Sequence, residues 1–202
     1  MVIYKSTKVI ELGSCAFRQW RAVHSHCRFL HGYRLIAKFT FACDSLDERN
    51  WVVDFGGLDR LKKILENQFD HTLCVAADDP LLSKFQDLHQ AGGCDLRIMD
   101  SVGIEKTAEF CLKEADSFVR NITNNRCWVE DVEVWEHEKN SSIVKVGNNT
   151  HNIFVKEHTE QLPAIASSNT QQPKANTVKP VSLNNPKTVG LTNPFAGTSW
   201  GV

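Results

Sequence analysis

The sequence predicts an α+β fold. Extended stretches gather near the start and again after residue 126, amphipathic helical stretches fill the interval, and from about His158 onward neither periodicity is present. Val9 to Phe17 is apolar enough for a strand leading into a loop at His24–Tyr33. Tyr33 to Cys43 (YRLIAKFTFAC) alternates, with Leu35, Ala37, Phe39 and Phe41 on one face and Arg34, Lys38 and Thr40 on the other, Ile36 excepted. Asp44 to Asn50 reads as a turn and Trp51 to Phe55 as a second strand, so the pair is expected to form a long hairpin. Gly56-Gly57 ends the extended run. Leu58, Leu61, Ile64 and Leu65 recur at helical spacing, giving an amphipathic helix that stops near Phe69 and is followed at once by Asp70-His71.

The second half continues in the same mixed manner. Asp78-Asp79-Pro80 starts a helix, the aspartates able to cap it and Pro80 standing where a missing N–H costs little; Leu81, Leu82, Phe85 and Leu88 form its apolar face and Gly92-Gly93 stops it. Leu96 to Met99 is a short strand. Ser101 is expected to cap the next helix, with Glu105 in its first turn and Ala108, Cys111, Leu112, Ala115, Phe118 and Val119 on its buried face. Cys127 to Trp135 and Ile143 to Val146 are strands joined by a turn at Lys139–Ser142.

The chain has 202 residues, enough for one domain with a sizeable core and an appendage. The expected division is a domain at 1–157 and a low-complexity tail at 158–202. That tail is rich in Asn, Thr, Ser, Gln and Pro and cannot bury enough apolar surface to offset its ordering entropy, so it is expected to be disordered in isolation. Its last stretch, Leu191 to Trp200, carries Phe195 and Trp200 in polar surroundings. It reads either as a peptide that docks on a protein partner or as a solubilising tail with stray aromatics.

Lys and Arg number 23 against 24 Asp and Glu, a formal charge of -1, so no bulk attraction to nucleic acid or an anionic membrane is expected. The apolar stretches are strand-sized and MVIYKSTKVIEL lacks the apolar core of a secretory signal, which suggests a cytoplasmic protein without membrane spans. The seven cysteines, at 15, 27, 43, 74, 94, 111 and 127, are odd in number and unpaired in spacing, as expected of reduced thiols.

Chemistry concentrates in His24-Ser-His26-Cys27-Arg-Phe-Leu-His31-Gly-Tyr33. Imidazoles and thiols bind borderline metals and move protons near neutral pH, although a polar loop that happens to carry histidines is the plain alternative. A thiol titrates at about pH 8.5 unperturbed and can exchange protons with a weakly acidic C–H. Asp70 beside His71 can orient the imidazole or simply end the preceding helix. Glu136 has the geometry to accept two parallel N–H bonds, or is an exposed strand-end acid like Glu133 and Glu138 nearby.

Five short motifs occur in order: Cys27-Arg-Phe-Leu-His31-Gly32; Trp51-Val-Val-Asp54-Phe55 with Leu58; Phe69-Asp70-His71; Glu105-x-x-Ala108; and Val134-Trp135-Glu136. On these, residues 8–146 resemble the 6-pyruvoyltetrahydropterin synthase and 6-carboxytetrahydropterin synthase family, members of the tunnelling fold. The resemblance implies a four-stranded antiparallel sheet with two main helices on one face, oligomerising into a barrel, as a homohexamer of two trimers with pockets at subunit interfaces. It implies a lyase acting on dihydroneopterin triphosphate in pterin or 7-deazaguanine (queuosine) biosynthesis. Cys27 would be the general base or acid, Asp70 and His71 a proton relay, Glu136 the grip on the pterin, and Glu105 a further substrate contact.

The family holds zinc with three histidines, one on the first strand and two in His-Gly-His. Here the first strand offers Ala16-Phe17-Arg18 and Tyr33 stands in the last place, so only His31 matches. His24 and His26 are the candidates to complete a zinc site with His31, a relocated metal and no metal being equally open; Tyr33 could bind metal or substrate, or be a strand residue with a wet hydroxyl. Two other readings remain beside the enzyme: a pterin- or purine-binding module without turnover, and a non-catalytic scaffold that docks through its C-terminal tail.

Overall fold

Alternation builds the centre of the sheet. Strands β1 (Tyr4–Phe17) and β2 (His31–Cys43) pair antiparallel along nearly their whole length, from Tyr4 opposite Cys43 to Phe17 opposite His31. On the far side of β2 lies β5 (Cys127–His137), and β6 (Asn140–Lys145) follows it through a two-residue turn at 138–139 rather than a turn spanning Lys139–Ser142. These four antiparallel strands are the expected sheet. Two short strands extend it beyond β1, where β3 (Thr72–Ala76) runs parallel to residues 15–17 and β4 (Leu96–Met99) runs parallel to β3. The computed structural model describes residues 2–146. The boundary expected near His158 and the aromatic peptide at 191–200 lie outside the described residues.

Helices α1 (Asp59–Phe69) and α3 (Ile104–Ile122) pack on one face of the sheet. They press Leu61, Leu65 and Phe69 from one, and Ala108, Cys111, Leu112, Ala115 and Val119 from the other, onto Leu12, Leu35, Ala37, Phe39, Phe41, Val129, Val132 and Val134. Phe69 meets Phe110 edge to face at 5.4 Å. A smaller helix, α2 (Leu82–Gln90), buries none of its residues and links β3 to β4. No helix among the described residues is long and apolar enough to cross a membrane.

Two local expectations fail for physical reasons, and one strand went unforeseen. Trp51–Phe55 is not a strand: both edges of β2 are already taken by β1 and β5, and the Arg126 guanidinium collects the carbonyls of Ser45, Trp51 and Val52 at 2.8, 3.3 and 3.0 Å. Ser101 does not cap α3, whose first turn follows Gly103 at φ +125°. Strand β3 was not legible at all, because its five residues are all buried and show no alternation, as expected for a short strand paired in parallel on both edges. Asp79, by contrast, does open the turn before α2, accepting the Leu81 N–H at 2.8 Å.

Candidate active site

The Asp70-His71 pair is set where α1 ends and β3 begins. His71 takes a left-handed conformation (φ +57°), which turns the chain from helix into strand. Opposite it, β1 carries a bulge between Glu11 and Gly13, and Gly13 stands at φ +97°. Asp70 occupies the space that a side chain at Gly13 would fill, and its Oδ1 accepts the Ser14 N–H at 3.1 Å. His71 donates its backbone N–H to the Ser14 carbonyl at 2.8 Å. Asp70 Oδ1 also lies 2.9 Å from His71 Nδ1, so the carboxylate fixes Nδ1 as the protonated nitrogen and leaves Nε2 free to take or give a proton. The imidazole itself is 85% exposed.

Cys27 sits in a one-turn 3-10 helix, His26–Arg28, and donates its backbone N–H to the capping Ser25 Oγ at 3.2 Å; its thiol is exposed. The segment that carries it is braced from below. Gln19 donates its backbone N–H to the Cys27 carbonyl at 2.8 Å, and its side chain lies over Gly103 together with the Glu105 carboxylate. Trp20 Nε1 donates to Asp78 at 3.2 Å, Arg21 pairs with the same carboxylate, and Arg18 meets the buried Asp79 at 3.0 Å. Glu105 therefore stands beside the base of the Cys27 loop, on the exposed first turn of α3.

Arg21 and the Trp20 indole hold the Asp78 carboxyl below the usual carboxylate range. A lowered folded value means that this brace is present above the ordinary range and is lost as pH falls through the lower folded value. The Trp20 indole N–H resonance is accordingly expected to titrate with a midpoint below about 3.9, the ordinary aspartate value. A midpoint at that ordinary value would show that the brace does not form.

Tyr33 lies in an aromatic cluster near the start of β2. Its ring meets His31 edge-on at 5.4 Å and lies 6.1 Å from both Phe17 and His137, while Phe17 and His31 are 5.1 Å apart. Partial burial, then the charges of Glu136 and Cys27, raise its phenol above the usual range. Glu136 occupies a register break in β5 between Trp135 and His137, and is half-buried. Tyr33 and His71 also share a hollow of about 420 Å³, lined in part by Ser14 and Thr72. Of the residues expected from sequence, Asp70 and His71 are thus brought into contact, and Glu105 stands at the base of the Cys27 loop. The importance of Gly13 was missed, and the available signal was a glycine inside an otherwise extended pattern.

The expected zinc ligands do not assemble within the chain. Among the described residues no three His, Cys, Asp or Glu side chains group to hold a metal ion. His31 donates Nδ1–H to the Phe29 carbonyl at 2.8 Å and packs between Phe17 and Tyr33, His26 stacks on Phe29, and His24 is exposed on the same loop. Zinc in a catalytic site takes three protein ligands, and the donor set of His24, His26 and His31 does not fit that need.

The profile of the family described as 6-pyruvoyl tetrahydropterin synthase matches residues 10–146. Among curated proteins, a 6-carboxy-5,6,7,8-tetrahydropterin synthase of Rickettsia typhi is 37% identical over 59 residues, 29% of this chain and 43% of that protein. One of the same name from Aquifex aeolicus is 28% identical over 67 residues, 33% of this chain and 41% of that protein. The chain spans less than half the length of these curated relatives. Among solved structures, an uncharacterised protein of Wolinella succinogenes superposes with a TM-score of 0.60 at 20% identity, covering 73% of this chain and all of that one. The 6-pyruvoyl tetrahydropterin synthase of Caenorhabditis elegans does so with a TM-score of 0.51 at 16% identity, covering 73% and 98%. Likeness at such identities speaks for the fold, and the fold is the tunnelling fold. Because the profile covers more than half of the chain, from within β1 through the end of β6, the chain belongs to the 6-pyruvoyl tetrahydropterin synthase family.

Proposed function

We propose that the chain is a tetrahydropterin synthase-like lyase acting on dihydroneopterin triphosphate and forming 6-pyruvoyl- or 6-carboxytetrahydropterin. The observation that carries this reading is the Asp70–His71 pair, bonded at 2.9 Å, with the histidine on the rim of a hollow of about 420 Å³. Glu136 accepts two parallel N–H bonds from the aminopyrimidinone edge of the pterin, the fork geometry a carboxylate uses with arginine. Cys27, as thiolate, removes a proton from the side-chain carbon attached to the ring C=N bond. The released electron pair moves onto the ring nitrogen, which lowers the barrier relative to an isolated C–H. His71 Nε2 returns or relays the proton, and Asp70 stabilises the imidazolium that forms. Triphosphate leaves with the electrons of its C–O bond, and the enol that results tautomerises to the 6-pyruvoyl product; the 6-carboxy product needs in addition hydrolytic cleavage of the bond between the first and second side-chain carbons, the outer two leaving as acetaldehyde. No step is routed through zinc.

Two surface features support oligomeric assembly, proposed as the homohexamer that the family resemblance implies. Strand β1 is paired to β3 only at residues 15–17, so its outer edge from Tyr4 to Leu12 faces no other strand among the described residues. Tyr4, Trp51 and Phe55 are 40%, 46% and 39% exposed and line an apolar groove of about 500 Å³. Open edges and exposed aromatics of this kind are what a neighbouring subunit covers.

The test is to incubate the purified full chain with dihydroneopterin triphosphate and follow triphosphate release and the pterin product by chromatography. Turnover is expected, and Glu136→Ala is expected to raise KM by about 10- to 100-fold, the loss of a pair of charge-assisted hydrogen bonds. Absence of both turnover and pterin affinity would overturn the reading.

A further inference from the structure

We propose that the loop around Cys27 holds the triphosphate arm of the substrate, with Arg28 as its main anion contact and His24 and His26 as further donors. The inference rests on the lyase reading above for the molecule that carries the phosphates. Between Glu11 and Asp44 the chain has no Asp or Glu, while it has four arginines, Lys38 and three histidines. The formal charge of the whole chain is -1, so this excess is local. Acids outside the stretch match three of its arginines: Asp79 meets Arg18, Asp78 meets Arg21 and Glu11 meets Arg34. Arg28 has no carboxylate partner among the described residues.

Arg28, His24 and His26 line one hollow of about 670 Å³ with Val23, Ser25 and Phe29. The Arg28 guanidinium lies 4.6 Å from the centre of the Phe29 ring, and the His26 ring stacks on the same phenylalanine at 6.4 Å, so one aromatic plate orients both side chains. Of the five guanidinium N–H groups, one reaches the Val23 carbonyl at a long 3.5 Å, and the others are free for phosphate oxygens. The backbone beneath is fixed where the Cys27 carbonyl accepts the Gln19 N–H at 2.8 Å. His24 and His26, which do not assemble with His31 around a metal, thus share a hollow with an unmatched guanidinium instead.

The chemistry of the substrate decides which of its ends belongs here. Cys27 lies between His26 and Arg28 in the same turn. In dihydroneopterin triphosphate the phosphates hang two carbons beyond the carbon that loses its proton, so a substrate placed for Cys27 brings them alongside these residues. A triphosphate carries several negative charges, and a guanidinium matches two of its oxygens at once. Contacts to the phosphates are made equally in the ground state and the transition state. They therefore act on KM and leave kcat near its wild-type value.

The experiment measures binding of inorganic triphosphate by calorimetry and turnover of dihydroneopterin triphosphate, on the full chain as wild type, Arg28→Gln, Arg28→Lys and Arg60→Gln, the last removing an exposed arginine in the first turn of α1. Wild type is expected to bind inorganic triphosphate, more weakly as ionic strength rises, and the bound anion to compete with substrate. In Arg28→Gln the affinity for inorganic triphosphate is expected to fall, and KM to rise, by about 10- to 100-fold each, the loss of charge-assisted hydrogen bonds, with kcat within about threefold. Arg28→Lys keeps a point charge without the fork and should fall between the two. Arg60→Gln should match wild type. An Arg28→Gln chain with either KM or triphosphate affinity within about threefold of wild type, or an equal loss in Arg60→Gln, would overturn the anion site and leave the lyase reading standing. Arg28-dependent binding of inorganic triphosphate in a wild-type chain that turns nothing over would overturn the lyase reading and keep the loop as an oligophosphate site.

Discussion

Cys27→Ala is expected to lower kcat on dihydroneopterin triphosphate by about 10²- to 10⁴-fold, the contribution of a positioned general base, with little change in KM or thermal midpoint. The substitution is clean because nothing in the fold depends on the sulfur. Cys27 is exposed, and the two bonds that fix its turn, from its N–H to Ser25 Oγ and from Gln19 N–H to its carbonyl, are both made by backbone that alanine keeps. The other thiols are poor competitors. Five of the remaining six are buried; burial pushes Cys111 and Cys43 up and raises Cys127 to about 11. Iodoacetamide at neutral pH should therefore label Cys27 first, since the thiolate is the reacting form. The mass increase of one adduct and the loss of turnover should follow one time course. Full activity in Cys27→Ala, or in singly labelled protein, would remove the thiol from the mechanism.

How much of this was legible depends on what each feature leaves in the sequence. β2 was legible because one of its faces is buried and the other half-exposed, so Leu35, Ala37, Phe39 and Phe41 stand out against Arg34, Lys38 and Thr40. α1 and α3 were legible for the same reason at helical spacing. β3 left no such trace, since every residue from Thr72 to Ala76 is buried. Trp51–Phe55 has the composition of a strand but no free partner edge, and that depends on Arg126, some 75 residues later. The candidate site was legible only as a set of motifs. Sequence named Cys27, Asp70, His71 and Glu136, but not the bulge at Gly13 on which Asp70 rests, because the approach of β1 to the end of α1 is a property of the folded sheet. His24 and His26 are close to His31 along the chain, while the packing of Phe17 and Tyr33 decides what surrounds that imidazole.

Gly13→Ala is expected to damage both stability and catalysis, although Gly13 touches no substrate. Its φ of +97° is one that L side chains rarely adopt, and holding alanine there costs about 1–3 kcal/mol. A Cβ at this position would also come within 3.0 Å of the Asp70 Oδ1, Cβ and Cγ atoms. The carboxylate cannot simply swing aside, because the same Oδ1 accepts the Ser14 N–H at 3.1 Å and sits 2.9 Å from His71 Nδ1. Relieving the overlap breaks one or both bonds and releases the imidazole from its orientation. The expected result is a melting temperature lower by several degrees together with a loss of kcat that approaches that of Asp70→Ala. A double-mutant cycle separates the two causes. In an Asp70→Gly background, which removes the overlapping carboxylate and its Cβ, Gly13→Ala should retain only the backbone penalty, leaving a coupling of about 0.5–3 kcal/mol. An equal stability loss in both backgrounds would mean that Asp70 does not rest on Gly13, and the orientation of His71 would then need another cause.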